Sequence, residues 1–270
     1  MTNEFWVPGF KFKVNHSLWW ILLLLFAASL QAADLQDIWP AQVSPLKKEA
    51  LALQLAALGS TVPRLPDTLE PALDFQKIFL QIISGVPASV WRADLEKLAV
   101  APGGNPVVEG VREAARAWFA RLQMADIDQA LRLYYRAHVQ FPATLAEIEG
   151  DLPQTLRKDP WGEPWIYKPL APQGFERLAM QRYQLGPTRF PNLAPLPEAL
   201  TRRKPETHSW TISLRDAAGK KALEFRSPEK GATVAIIEPG GKIDGCVLLY
   251  IGNNWALMAG VDDLFAVGMK

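Results

Sequence analysis

A rigid, aromatic segment at residues 157–169, RKDPWGEPWIYKP, restricts the fold of this chain more than any other feature. It holds three prolines, which fix the backbone and remove amide donors, so a regular helix cannot run through it. Asp159 before a proline favours a turn, and Gly162 permits backbone angles that other residues resist. The aromatic residues that follow have strand character. The segment therefore predicts a stiff corner that leads into a sheet.

The two tryptophans of this corner have two interpretations. In the structural one, Trp161 and Trp165 cover the apolar face of the sheet, where burial of one large aromatic side chain contributes about 2–3 kcal/mol. In the functional one, an exposed indole ring binds a partner protein.

Helical signals fill the chain between residues 34 and 106. Capping residues, apolar periodicity and glycine stops predict three short helices, over about 44–59, 67–85 and 89–98. No acid pair or histidine in this region suggests catalysis, so we interpret it as a packing or docking module.

Residues 107–138 also have helical periodicity, with two apolar stripes that are rotated relative to each other. They predict either one long helix that changes partners or a helix that breaks near Asp126. Beyond it, Thr144 and Glu147 have the spacing of a capping box, which predicts a further short helix.

Strand signals dominate the rest of the chain. Residues 183–185 suit a second strand, which ends at a glycine and a proline. Residues 191–206 are rich in proline and predict an extended connector. In residues 207–270, short apolar stretches separated by tight turns predict a small antiparallel sandwich or barrel.

Composition limits the functions that are open to the chain. The net charge of +1 over 270 residues argues against a nucleic-acid binder, which needs phosphate contacts. Cys246 is the only cysteine, which excludes an internal disulfide or a cysteine-based metal site. No nucleophile or metalloprotease motif is present in the sequence, although a hidden carboxylate pair stays possible. We therefore expect no catalytic residues, no cofactor and no metal.

The N-terminal residues 1–33 carry a targeting signal. Lys11 and Lys13 precede an uncharged apolar run over residues 18–30, and small residues follow it. This order is typical of a secretory signal peptide. An uncleaved inner-membrane anchor is the alternative, although the run is shorter than the roughly 20 residues that span a bilayer. Both interpretations place the remaining chain in the periplasm or facing it.

The order of features over residues 125–190 resembles the major pseudopilin of type II secretion systems. A tyrosine-bearing helix is followed by an aromatic–proline pair, a short capped helix, DPWG with proline and tyrosine beyond it, and a tyrosine strand that ends in glycine. The resemblance is carried by Ile127, Leu131, Tyr134, Phe141, Pro142, Leu145, Asp159, Pro160, Trp161, Gly162, Pro164, Trp165, Tyr167, Tyr183 and Gly186.

This resemblance implies a helix packed on an antiparallel sheet over residues 107–190. With the helical region before it and the small antiparallel β domain after it, the predicted fold class is α+β. The resemblance also makes eleven residues of the motif candidates for structural support or partner contact: Tyr134, Phe141, Pro142, Asp159, Pro160, Trp161, Gly162, Pro164, Trp165, Tyr167 and Tyr183. The chain departs from the family in two ways. Lysines follow the step from Gly9 to Phe10 where an apolar helix would begin, so we do not expect polymerisation through that helix. The loop at 187–192 lacks the acidic residues of the family's calcium site, so no calcium site is expected.

The C-terminal stretch AIIEPGGKIDGCVLLYIGNNWALM, residues 235–258, has a second resemblance. It is similar to the small periplasmic domain shared by the inner-membrane clamp protein of type II secretion and the pilot-like protein of type IV pili. That resemblance implies a contact with an outer-membrane secretin.

Together these features predict an exported, non-catalytic component of a type II secretion or type IV pilus-like assembly. Its partners would be other secretion or pilus assembly proteins of the envelope. The alternatives are a generic envelope binding or adhesion module that reuses a pseudopilin-like fold, and an envelope hydrolase.

Overall fold

A computed structural model of the protein describes residues 66–170, 182–201, 210–217, 219–227 and 233–269. The predicted signal peptide or anchor and the helix predicted over 44–59 lie outside the described residues. Within the described segments, no helix combines the length and the apolar character needed to cross a membrane.

Three helices occupy the first part of the described chain. They are α1 (Glu70–Ile83), α2 (Ala88–Ala99) and α3 (Pro106–His138). The third is continuous, so the chain adopts the single long helix of the two predicted alternatives. Short 3₁₀ turns occur at Asp67–Leu69, Leu145–Ile148 and Gln154–Leu156.

Local chemistry explains where α3 begins and ends. The side chain of Asn105 accepts a hydrogen bond from the amide of Val108, at 3.0 Å, and proline occupies the first helical position. At the other end Val139 adopts a left-handed conformation, with φ of 59°, and its amide donates to the carbonyl of Tyr135. Beyond the helix, the predicted capping box of Thr144 and Glu147 is present.

The aromatic corner leads into an antiparallel hairpin. Strand β1 (Ile166–Leu170) pairs with β2 (Arg182–Gly186), with Tyr167 opposite Leu185. Both strands lie where the sequence predicted them, and β2 ends at the predicted glycine. The helix before the hairpin and the two strands together form the predicted helix-plus-sheet arrangement.

The C-terminal region forms two antiparallel sheets. The strands are β3 (Thr211–Ala217), β4 (Lys220–Ser227) and β5 (Thr233–Ile237) in one sheet, and β6 (Lys242–Ile243), β7 (Cys246–Ile251), β8 (Trp255–Ala259) and β9 (Leu264–Gly268) in the other. Leu223 and Phe225 of the first sheet share a core with Leu248 and Met258 of the second. The sheets therefore pack face to face as a sandwich, which is one of the two predicted alternatives.

The outer face of the four-stranded sheet packs on the helices. Leu249, Leu257 and Leu264 belong to the same apolar cluster as Phe79 and Trp118. Every residue of β8 is buried, because one face of this sheet meets the other sheet and the opposite face meets the helices. The fold is α+β, as predicted, and its helical and C-terminal regions share one core.

The stretch predicted as an extended connector, residues 191–206, differs from that expectation over its first part. It contains the helix α4 (Leu196–Thr201), and Leu193 and Ala199 are buried. Pro197 lies in the first turn of α4, where a missing amide donor costs no helical hydrogen bond. Proline content therefore misled the prediction, because these prolines are compatible with a short helix that docks on the core.

Candidate functional site

The carboxylate of Asp159 organises the aromatic corner. The side chain is 4% exposed and accepts hydrogen bonds from the amides of Trp161, Glu163 and Thr188, at 3.0, 2.9 and 3.1 Å. The amide of Gly162 donates to the Asp159 carbonyl at 2.9 Å, and Gly162 has a φ of 87° that favours glycine. Because Thr188 follows β2, this one carboxylate joins the corner to the end of the hairpin.

The two tryptophans of the corner have different environments. Trp165 is 8% exposed, and its indole nitrogen donates to the carbonyl of Leu156 at 3.0 Å. Trp161 is half-buried: its indole nitrogen donates to Glu113 of α3 at 3.1 Å, and its ring packs edge-to-face on Phe190. Trp161 therefore links the corner to α3 and to the segment after β2.

The prolines of the motif lie where the aromatic corner and the loop after α3 meet neighbouring segments. Pro142 is buried and Pro160 is half-buried, whereas Pro164 is exposed. The carbonyl of Pro164 accepts a hydrogen bond from the hydroxyl of Thr188 at 2.6 Å. The carbonyl of Pro142 accepts one from the hydroxyl of Tyr167 at 2.8 Å. Each of these two carbonyls thus fixes a neighbouring strand or loop.

Tyr134 connects α3 to the capping box. Its hydroxyl donates to Glu147 at 2.9 Å, and the other carboxylate oxygen of Glu147 accepts from the amides of Ala143 and Thr144. The hydrogen bond from Tyr134, followed by that from Thr144, lowers the pKa of Glu147. The same contact raises the pKa of Tyr134. The Tyr134 ring also stacks on His138, with 4.0 Å between centroids.

Two further tyrosines titrate abnormally because of their surroundings. Burial, followed by the charge of Glu147, raises the pKa of Tyr167 to about 12. Burial and a hydrogen bond from the hydroxyl to Asp128 raise the pKa of Tyr183. Both phenols therefore stay neutral and act as hydrogen-bond donors.

Phe141 lies between two tyrosine rings. Its centroid is 4.8 Å from that of Tyr135 and 4.8 Å from that of Tyr183, and Tyr183 lies 5.9 Å from Tyr167. Such separations suit favourable aromatic pairs. The rings form a continuous row that runs from α3 to the hairpin.

All eleven candidate residues lie in one part of the molecule, residues 125–170 and 182–193, which we call the aromatic unit. Trp161 and Tyr134 pack against the same apolar cluster, which includes Ile127, Leu131 and Trp165. The structure thus brings together residues that are widely separated in the sequence.

A cleft of about 1110 Å³ opens beside the aromatic unit. Its walls come from the second half of α3, from β2 and from the segment that leads into α4. It is lined by Met124, Ala125, Asp128, Arg132, Tyr135, Arg136, Phe141, Leu170, Arg182, Tyr183, Gln184, Leu185, Pro191, Asn192, Leu193, Ala194, Pro195, Leu196, Pro197 and Glu198. Of the candidate residues, Phe141 and Tyr183 reach this cleft.

Sequence reasoning missed the arginines of the cleft. Arg132 and Arg136 lie one helical turn apart on α3, and both are exposed. Arg132 does form an ion pair with Asp128 at 2.6 Å. In the sequence, the only sign of this cleft is that the two arginines lie close to Tyr135. Another wall of the cleft comes from residues 191–198, which the sequence predicted as part of an extended connector.

Comparison of the chain with protein-family models, with curated proteins and with solved structures finds no match. Within the described parts of the chain, no group of three histidine, cysteine, aspartate or glutamate side chains is arranged to hold a metal ion.

Proposed function

We propose that this protein is a non-catalytic structural component of a type II secretion or type IV pilus-like envelope assembly, and that it acts through protein–protein contacts. The observation that carries the proposal is the shared packing of Trp161 and Tyr134. Residues that carry the resemblance to the pseudopilin motif thereby pack in one unit, which supports the proposal.

The hydrogen bonds of the buried and capping carboxylates favour a role in protein–protein contact over a role in catalysis. The carboxylate of Asp159 is occupied by three backbone amides, and that of Glu147 by Tyr134 and two amides. A general acid or base needs a position from which it reaches a substrate proton. What the aromatic unit offers to solvent is a row of rings and an arginine-rimmed cleft, which suits recognition of another protein.

The location follows from the N-terminal signal. We propose that residues 1–33 direct export, as a signal peptide or as an inner-membrane anchor, and that the rest of the chain lies in or faces the periplasm. The sandwich of β3–β9 is a second candidate contact region, for an outer-membrane secretin.

Affinity capture of the full chain at its native expression level tests this function. Cells are crosslinked before lysis, and captured proteins are quantified against an untagged strain. We expect enrichment of secretin, pseudopilin or pilus assembly proteins. If none of these rises above the untagged background, the assembly role is wrong. If only other envelope proteins are enriched, the generic binding module is the better interpretation.

A further inference from the structure

The side chains that line the cleft restrict the kind of ligand that can bind there. Much of its lining is apolar: the rings of Tyr135, Phe141 and Tyr183 contact one another there, and prolines of residues 191–197 also line the cleft. Rings and prolines present flat surfaces that lose little side-chain entropy when a ligand covers them. A ligand with apolar side chains along part of its length fits these walls.

Charged side chains also line the cleft. Its lining holds three arginines, Arg132, Arg136 and Arg182, and two acids, Asp128 and Glu198. Asp128 is already engaged, because it accepts from both Arg132 and the Tyr183 hydroxyl. Its negative charge is thus largely compensated within the protein.

Arg136 is not part of this arrangement. Its side chain is exposed, and it forms no ion pair with any described residue. It lies one turn beyond Arg132 on α3, next to the aromatic row. Because a guanidinium binds a carboxylate in a bidentate manner, Arg136 provides a matched position for an acidic side chain.

The backbone of β2 provides a second, independent feature. In its sheet, β2 pairs with β1 on one edge, and no described strand pairs with its other edge. Residues 182–185 of β2 also line the cleft. An unpaired strand edge beside a groove is the geometry that accepts an added strand, with main-chain hydrogen bonds giving affinity and alternate side chains giving specificity.

We propose that this cleft binds an extended, acidic peptide segment of a partner protein. The main chain of the segment runs along β2, an acidic side chain pairs with Arg136, and apolar side chains lie on Phe141 and its neighbours. This proposal rests on the contact function above and specifies the chemistry of its ligand.

A single-stranded nucleic acid is the other polyanion that rings and arginines can bind. The cleft does not favour it, because its lining holds only three arginines, of which Arg132 is paired with Asp128, and a phosphate chain needs a groove that stays positively charged along its length. The protein as a whole carries a net charge of only +1, so no wider positive field draws in a nucleic acid.

Peptide binding to the purified protein tests the proposal. The probe is a fluorescein-labelled short peptide in which glutamate alternates with valine, so that it is extended, acidic and apolar on one face. Its counterpart has glutamine in place of every glutamate, and labelled oligothymidylate serves as the nucleic-acid probe. Fluorescence anisotropy gives the dissociation constants at low and moderate salt.

We expect the acidic peptide to bind at least about tenfold more tightly than the glutamine peptide, since one lost charge pair is worth about that factor. Arg136→Glu should weaken the acidic peptide by about tenfold or more, because it places like charges together. Arg136→Lys should retain part of the affinity. Lys158→Glu makes the same change in net charge at an exposed position outside the cleft, and should leave binding unchanged.

Equal binding of the acidic and glutamine peptides would overturn the proposal, as would no binding of either or an unchanged affinity in Arg136→Glu. Tighter binding of oligothymidylate would replace it with nucleic-acid recognition. The outcome of the peptide experiment can be told apart from the outcome of the affinity capture. The peptide can bind although no secretion or pilus protein is captured from cells, and it can fail to bind although such a protein is captured.

Discussion

The two halves of α3 have opposite environments although they belong to one continuous helix. Over residues 107–124 only Glu109 is exposed, whereas over residues 125–138 only Ile127 and Leu131 are buried. The first half is enclosed by α1, α2 and the C-terminal sheet, and the second half carries the aromatic unit on one side. The helix therefore joins a scaffold, in which side chains stabilise the fold, to a region that still has surface available for a partner.

The first half of α3 forms specific hydrogen bonds and an ion pair with residues that are distant in the sequence. The indole nitrogen of Trp118 donates to the carbonyl of Asp262 at 2.6 Å, and Arg121 pairs with the side chain of the same residue. The Arg121 guanidinium also lies over the Trp118 ring, 4.5 Å from its centroid, and its Nε donates to the carbonyl of Ala194. These contacts hold the helix, the turn before β9 and the segment before α4 together.

The largest effect should come from shortening a buried leucine in the first half. Leu122 is 5% exposed and Leu133 is 56% exposed, on the same helix. We expect Leu122→Ala to lower the free energy of unfolding by about 3 kcal/mol, since it leaves a cavity. Leu133→Ala should change it by less than about 0.5 kcal/mol. Urea unfolding followed by circular dichroism measures both.

Equal losses for these two matched substitutions would mean that the second half of α3 is covered as fully as the first. The contrast between scaffold and presenting surface would then be wrong.

A second prediction concerns the polar centre of the aromatic unit. Asp159→Ala should lower the free energy of unfolding by about 2 kcal/mol, because buried backbone amides lose their acceptor. Asp151→Ala, at an exposed position nearby, is the control. The comparison of melting temperatures checks it. A stability loss no greater than that of the control would show that the corner does not depend on this carboxylate.

A third prediction tests the close contact between α3 and the sheet. A Cβ atom on Gly110 would lie 2.3 Å from a methyl group of Leu249, so Gly110→Ala should cost about 1 kcal/mol net. This holds although alanine favours a helix by about 1 kcal/mol over glycine. In a Leu249→Ala background the same change should become stabilising, which a double-mutant cycle by urea unfolding will reveal.

Gly104→Ala is the control, because its Cβ would meet no atom within 4 Å. A stabilising effect of Gly110→Ala in the unmodified protein would mean that the sheet packs less closely on this half of the helix.

The smallest effect is a pH dependence that belongs to the aromatic unit. The pKa of Tyr167 is raised from 10.0 to about 12, so its contribution to stability is complete below pH 10 and is lost as the pH rises towards 12. Tyr167→Phe removes the titrating group, and its stability should fall less steeply over that range. Thermal unfolding at stepped alkaline pH measures the slopes. Parallel curves would show that the phenol does not titrate abnormally.

Local patterns were sufficient to predict the helices around α3, the hairpin and the turns of the sandwich. Asn105 and the capping box of Thr144 and Glu147 act within a few residues of themselves, so their effect can be read from the sequence. The aromatic corner was predictable for the same reason, since proline and Gly162 dictate its backbone.

The tertiary arrangement was beyond that reasoning. Arg121 and Asp262 are 141 residues apart, and nothing in either neighbourhood indicates the other. The cleft combines arginines of α3 with residues 191–198. The prolines of that segment are typical of a linker, and nothing in the sequence indicates that the segment leads into α4 and packs on the core. Periodicity shows which face of an element is apolar, but not which other element covers it.

Site-specific photocrosslinking in living cells tests the central claim, that the second half of α3 and its cleft present a surface for a partner protein. A photoreactive phenylalanine analogue replaces Asn192, which is exposed in the cleft lining, or Lys158, which is exposed outside it. We expect a covalent adduct with a secretion or pilus assembly protein at Asn192 and none at Lys158. No adduct at Asn192, or the same adducts at both positions, would contradict it.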